Sequence, residues 1–326
     1  MIKENEVDVI IRNYNHEDFI KETIESVLNQ NYKNIKKIII ADDGSKDDSQ
    51  EIIRSYAHKH PKIEPILAKE NKGIAYNTNR ALKRIESEYV AMLDGDDLMF
   101  PGKIEKQVEY LNKNPDVATC AHDMDVYNSS TRRSIGTFNE IINYKKFDEK
   151  LGMEYRFDHA ILLSPSSYMI RRDAFPKHGL DTRLKFLFEL IIDVEILRKG
   201  KVGYIDEVLG MYRIHDHNIS RSNDRDRIGL EEYLMAYSIL IARYPDLIDH
   251  VKKGKSNIYF AKIMRCIMKG NKTRAKDLSK VLIAEGNYTK GIIAYLMSII
   301  MTSDLINKFY QSKHQNKITK MFYRTF

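Results

Sequence analysis

Cysteine is scarce in this chain: Cys120 and Cys266 are the only two among 326 residues, far apart and in no CxxC pair. That spacing excludes a disulfide framework and a zinc knuckle, and it fits a reducing compartment. Long apolar runs are lacking too. The longest, around Ile292–Met301, falls short of the roughly 18–20 residues that a membrane-spanning helix needs. The first nine residues, MIKENEVDV, have no apolar core of the kind a secretory signal carries, so a cytoplasmic setting is expected. Charge reaches no extreme. Lys and Arg number 53 against 46 Asp and Glu, a net of +7 that admits an anionic partner such as a nucleotide or a lipid surface without choosing one. The 20 tyrosines are scattered and do not alternate with basic residues, which argues against a nucleic-acid platform. With 43% hydrophobic and 30% charged residues, a sizeable core is expected.

What the sequence does contain is order. Val7–Ile11 and Lys37–Ala41 are short, nearly continuous apolar runs, the pattern of strands covered on both faces. Ile63–Leu67 and Tyr89–Leu93 read as two more strands. Between them, His16–Asn29, Ser49–His58 and Gly73–Ile85 carry apolar residues at helical spacing. Alternating strands and helices with short loops predict an α/β, mostly parallel sheet with helices on both faces. Ligands of such sheets sit at the carboxyl ends of the strands. The stretch 116–224 is less regular. From about Asp226 the texture becomes helical, with Leu230–Tyr244, Ser256–Lys269, Arg274–Ala284 and Lys290–Met301 punctuated by Gly270-Asn271 and Gly286-Asn287.

Two acidic turns stand at predicted strand ends. Asp94-Gly95-Asp96-Asp97 places three carboxylates in four residues, whose mutual repulsion a divalent cation would offset; hard oxygen ligands suit Mg2+ or Mn2+. The other reading is a solvated turn in which Asp97 caps a helix. Asp42-Asp43-Gly44-Ser45 ends the second strand, where a carboxylate can accept from a base imide or a ribose hydroxyl. It would otherwise simply cap the turn.

Residues 7–49, followed by ENKGIAYNTNRAL and then YVAMLDGDD, resemble the nucleotide-binding half of the family 2 glycosyltransferases. The match is close over 6–115 and loose to about 220, and the order and spacing of the segments make it specific. It implies an inverting enzyme with the GT-A fold, a Rossmann-like sheet with flanking helices. The expected division is a GT-A domain over 1–225, with a nucleotide-binding half 1–115 and an acceptor-binding half 116–225, then an α-helical extension over 226–326. The resemblance further implies that Asn13 and Tyr14 pack on the nucleotide base. By the same likeness Asp43 bonds the base beside Asn71 and Gly73, and Asp94 and Asp96 contact ribose and metal. Asp97 is an equally reasonable metal ligand. Arg12-Asn13 replaces the Pro-Thr or Pro-Ser pair usual in the family, and Thr78 stands where a basic residue is common.

An inverting transfer needs a general base for the acceptor hydroxyl. The segment from Phe188 to Glu195, followed by a Lys199-Gly200 turn, is similar to the helix that supplies this base in the family. Counting back from Gly200 puts Glu189 in that place, with Asp193 one turn further on as the alternative. Tyr212-Arg213-Ile214-His215 resembles the segment that returns over the diphosphate. His215 is then a metal ligand or phosphate donor, and Arg213 pairs with phosphate or with a structural carboxylate. The tail 302–326 carries five basic residues against Asp304, interleaved with aromatic and aliphatic ones. It reads either as a surface helix for peripheral contact with anionic lipid on the inner face of the membrane, or as a solvated helix packed on the extension.

The implied partners are a nucleotide-sugar donor, UDP-linked by the suitability of Asp43 for the uracil imide, and a glycan or lipid-linked glycan acceptor. Surface polysaccharide synthesis is the implied pathway, and oligomeric state is left open. Two other classes compete. A sugar-nucleotide nucleotidyltransferase would show a Gly-rich basic loop where Arg12-Asn13-Tyr14-Asn15 stands. A catalytically silent glycan-binding protein would have no need of Asp43, Asp94, Asp96, Asp97 and a base.

Overall fold

The computed structural model describes residues 5–142, 164–216, 218 and 230–300. The described residues up to 218 form one compact unit, and 230–300 belong to a second.

The first unit opens with β1 (Val7–Asn13), α1 (Ile20–Leu28), β2 (Ile35–Asp42), α2 (Ser49–Lys59), β3 (Ile63–Leu67), α3 (Ile74–Leu82) and β4 (Tyr89–Asp94). These four strands are parallel, in the order β3-β2-β1-β4. Val9, Ile11, Ile38, Ile40 and Leu93 are buried, as continuous apolar runs require of a sheet covered on both faces. α1 buries Ile20, Ile24 and Val27 on one stripe. β1 runs two residues beyond its apolar run. Arg12 and Asn13 break the hydrophobic pattern, yet their backbones pair with Ala41 and Asp42 of β2. Conversely, α1 starts at Ile20 rather than His16, because Asn15 adopts a φ of 54° and the chain must turn before it can coil.

The chain continues through β5 (Leu98–Met99), α4 (Lys103–Lys113), β6 (Val117–Asn128), β7 (Arg133–Thr137) and α5 (Phe138–Ile142). After a 3-10 turn at Pro165–Ser167 come β8 (Met169–Arg171), α6 (Phe188–Leu197) and β9 (Lys201–Ile214). The sheet extends as β4-β8-β6-β9-β5, with β7 paired to β6. β8 is antiparallel to both β4 and β6, while β6 and β9 are parallel. α4 fastens the 3-10 turn from below. Its Lys103 is fully buried and donates to the Ser166 carbonyl at 2.6 Å, and Gln107 donates to the Ser167 carbonyl at 2.8 Å.

In the second unit, α7 (Leu230–Arg243), α8 (Ile248–Met268), α9 (Lys272–Ala284) and α10 (Tyr288–Ile300) follow one another. The expected helix at Ser256 begins eight residues earlier, at Ile248. The lysine-rich stretch 252–255 obscured its period, although Val251 and Gly254 are buried. Gly270 and Gly286, with φ of 74° and 86°, end α8 and α9. The tail 302–326 lies outside the described residues. Among the described residues, no helix is long and apolar enough to cross a membrane.

Burial holds the Lys103 ammonium down to a pKa of about 7. Between that value and the ordinary lysine pKa near 10.4, the unfolded chain binds the proton and the folded chain does not. Stability should therefore rise with pH across that window. Urea unfolding at pH 7 and 9.5 should show a gain on the order of 1–3 kcal/mol in the wild type that Lys103→Met lacks; equal slopes for both would refute the assignment.

Candidate active site

The strand order reverses between β1 and β4, since the chain steps from β1 outward to β2 and β3 and then returns to the other side of β1. Loops leaving these two strands part in opposite directions and open a crevice at their carboxyl ends. The register pairs Arg12 with Asp94 across the strands. Their side chains form an ion pair, with Asp94 Oδ1 2.6 Å from Arg12 Nη2 and 2.8 Å from Nε. Burial raises the pKa of the Asp94 carboxyl, and Arg12 only partly pulls it back. For Arg12, burial acts downward but is outweighed by the charges of Asp94, Glu189 and Asp96, so the guanidinium pKa is raised.

The acidic turn then folds over the β1 loop. Gly95 N–H donates to the Arg12 carbonyl at 2.8 Å, and the Thr23 hydroxyl lies 2.9 Å from the carbonyls of both Gly95 and Asp97. A side chain at position 95 would strike Asn13 Oδ1, with the Arg12 carbonyl and His16 Nδ1 each 3.0 Å from its first carbon. Only glycine allows the two loops to meet so closely.

Each carboxylate of the turn has separate partners. Asp96 Oδ2 lies 3.0 Å from His215 Nε2, 3.2 Å from Asn218 Nδ2 and 3.8 Å from His16 Nε2. Burial acts to raise its pKa, but the hydrogen bond from His215 and the two imidazoles together hold it below the usual carboxylate range. Asp97 Oδ1 accepts from Arg213 N–H at 2.9 Å, and Oδ2 from the Ser166 hydroxyl at 2.5 Å. Burial, then repulsion from Asp96 and Asp94, push the Asp97 carboxyl well up.

His16, Asp96 and His215 each offer one atom such that all three lie within 4.8 Å of one another. Two imidazole nitrogens and a carboxylate suit a first-row divalent cation, and the buried His16 Nδ1 has no hydrogen-bond partner. The residues present fit a cation. Asp96 and His215 were readable as ligand candidates in the sequence, whereas His16 was not. Its one signal was an imidazole three residues beyond Asn13, in the loop that the switch point brings inward. Asp97 is adjacent, with both oxygens engaged by Arg213 and Ser166.

On the other side of β1, the two aspartates of the Asp42-Asp43 turn divide their work. Asp42 ties the turn together, accepting from Asn13 Nδ2 at 2.8 Å, Gln50 Nε2 at 2.7 Å and the N–H groups of Gly44 and Ser45 at 3.1 and 3.0 Å. Asp43 reaches the next loop and accepts from the N–H groups of Lys72 and Gly73 at 3.0 and 2.8 Å. Burial raises its pKa, and those two donors oppose the rise. Tyr14 is half-buried in the bend after β1, and Asn71 is exposed in the loop before Gly73. Asp43 is thereby tied to the loop carrying Gly73, while Asn13 lies against both the Asp42 turn and Gly95.

Glu189 is half-buried in the first turn of α6, and its charge is second only to that of Asp94 among those raising the Arg12 pKa. Asp193 and Glu195 of the same helix are buried. The Arg213 guanidinium pairs with Glu22 and stacks 5.2 Å above the Phe19 ring.

The sequence pattern of glycosyl transferase family 2 matches residues 8–179. The chain belongs to that family. An uncharacterized glycosyltransferase of Rickettsia typhi is 31% identical over 267 residues, covering 79% of this chain and 78% of its own. TuaG of Bacillus subtilis, a putative teichuronic acid biosynthesis glycosyltransferase, is 30% identical over 215 residues, 66% of this chain and 81% of its own. Among solved structures, residues 1–349 of S. aureus TarS in complex with UDP-GlcNAc align with a TM-score of 0.64 at 16% identity, over 93% of this chain and 92% of that one. The mannosyltransferase of Pyrobaculum calidifontis in complex with GDP-Man and Mn2+ aligns with a TM-score of 0.58 at 14% identity, over 98% and 85% of the two chains. Those structural likenesses concern the fold, which is GT-A-like with a helical C-terminal region. This family 2 glycosyltransferase is an enzyme, and its acidic turn packs directly on the loop after β1.

Gly95→Ala should force that turn away from Asn13 and His16. The expected result is at least a tenfold loss of nucleotide affinity by calorimetry, with a destabilisation of about 1–3 kcal/mol. Unchanged affinity would show that the close approach is irrelevant to the site.

Proposed function

We propose that this enzyme transfers a sugar, with inversion, from a UDP-sugar to a hydroxyl of a glycan or lipid-linked glycan acceptor. The observation that carries this reading is the convergence of Asp43, the Arg12–Asp94 pair, the His16–Asp96–His215 group and the charge of Glu189 on one switch point.

Asp43 holds its carboxylate against the 72–73 loop, and each oxygen keeps a lone pair for the imide N–H of a base. Asn13, Tyr14, Asn71 and Gly73 frame that base, and Asp94, steadied by Arg12, accepts from the ribose. A bound Mn2+ or Mg2+ would neutralise charge on the departing diphosphate. Asp96, His215 and His16 would hold it, with Asp97 fixed behind Asp96. Arg213, tied through its N–H to Asp97, keeps the strand end carrying His215 in place. Glu189 takes the proton from the acceptor hydroxyl as its oxygen bonds to the anomeric carbon and the bond to the nucleotide diphosphate breaks. Asp193 is buried within its helix, which favours Glu189 for this role.

A UDP-sugar agrees with the UDP-GlcNAc complex of one fold neighbour, and the GDP-Man complex of the other makes GDP the comparator. Surface polysaccharide as the product class rests on the likeness to TuaG. The basic tail would keep the enzyme on the cytoplasmic face of the membrane, where lipid-linked acceptors are found.

A thermal-shift series with UDP, GDP and dTDP, each with and without Mn2+, tests the donor. UDP with Mn2+ should stabilise the fold by about 2.7 kcal/mol at a hundredfold excess over its dissociation constant. Asp96→Ala and His16→Ala should each weaken the Mn2+-dependent part of that shift, and a larger shift with GDP would overturn the choice of base. For the chemical step, Glu189→Gln should lower kcat by about 10²–10⁴-fold while donor affinity stays within twofold, and Asp193→Asn should retain most activity. The reverse pattern would move the base by one helical turn.

A further inference from the structure

The last described helix is packed inside out. α10 buries only its small residues, Gly291, Ala294 and Ser298, on one face. Gly291 lies so close to α9 that an added side chain would strike Ile283. The large side chains point the other way. Tyr288, Ile292, Ile293, Leu296, Ile299 and Ile300 are 46–68% exposed. Their spacing forms one continuous apolar stripe of a 3.6-residue period. Single exposed apolar residues are ordinary, but a contiguous stripe of β-branched and aliphatic side chains marks a surface that is covered in use.

Charge indicates what covers it. Between Lys269 and Phe326 the chain has eleven Lys and Arg but only three Asp and Glu, an excess larger than the +7 of the whole protein. All of the net positive charge therefore resides in this last stretch, and the rest of the chain is close to neutral. Lys272 places its ammonium 3.4 Å from the Ile299 carbonyl, at the end of the stripe. No acidic residue occurs between Asn287 and Ser303. An apolar stripe with Lys272 at its end, in a lysine-rich stretch with further basic and aromatic residues following directly in sequence, has the composition of a helix lying in an anionic interface. A second copy of the same surface would instead bring like charges together.

We propose that α10 is a membrane-contact helix that seats its Ile292–Ile300 stripe in an anionic bilayer surface. This inference stands independently of glycosyl transfer, since it rests on a surface outside the candidate active site. It is tested with the full chain and vesicles of phosphatidylcholine alone or with 30% phosphatidylglycerol. The wild type should co-sediment with the anionic vesicles, and binding should fall at least tenfold in 0.5 M NaCl or on neutral vesicles. Ile292→Glu with Leu296→Glu should lower binding to anionic vesicles by at least tenfold. Both positions are exposed, so circular dichroism and the thermal shift by UDP should be unchanged. Equal vesicle binding by wild type and variant would overturn the proposal, as would absence of wild-type binding. Sedimentation velocity without lipid distinguishes the other occupant: a wild-type dimer that the variant converts to monomer would assign the stripe to a second copy instead.

Discussion

Three carboxylates within four residues, two of them buried, stand at the end of a parallel strand and set the terms for the whole first unit. Left to themselves, Asp94, Asp96 and Asp97 would repel one another and take up protons. Each is instead met from a different part of the chain: Asp94 by Arg12 of β1, Asp96 by His215 and Asn218 just after β9, and Asp97 by Ser166 and the Arg213 backbone. Buried ion pairs contribute little net stability, because desolvation offsets much of the attraction. Their effect here is on geometry. The turn can adopt its position only when the first strand, the 3-10 turn and the last strand are all in place.

The same arrangement joins the two halves of the unit. Ser166 receives the Asp94 N–H and donates to Asp97, and its own carbonyl is held by the buried Lys103. β8, running antiparallel between β4 and β6, is what delivers this turn beneath the acidic loop. The acidic turn thus sits on the parallel strands, and its floor is closed by Ser166, 72 residues beyond Asp94. Lys103 and Gln107 support this floor through the carbonyls of Ser166 and Ser167.

Polar groups with apparently equal claims are separated by what lies next to them. Asp42 and Asp43 are neighbours of one type, yet Asp42 satisfies the turn's own N–H groups while Asp43 reaches the following loop. Asp96 faces two imidazoles, whereas Asp97 faces a hydroxyl and a peptide N–H. Consecutive residues of these turns face different neighbours, so each acidic pair divides between two sets of partners.

Local pattern was enough for the strands and helices of residues 7–94, because buried parallel strands are continuous apolar runs and their helices carry a single stripe. It was also enough to mark both acidic turns, since strand ends in such sheets are where ligands bind. A strand before Tyr212 was legible, but its full extent, Lys201–Ile214, was not: its mixed polar and apolar residues follow no period of two, and pairing with β6 decides it. His16 was not legible as a site residue, because nothing near it in sequence reveals that Asp96 and His215 come within reach. Nor did the sequence of Arg12 disclose its partner, which a register between two strands 82 residues apart selects. Composition and periodicity determine which segments are buried and where polar turns must fall. Only tertiary structure decides which distant charges meet, because those encounters depend on strand order and register, which no short stretch of sequence encodes.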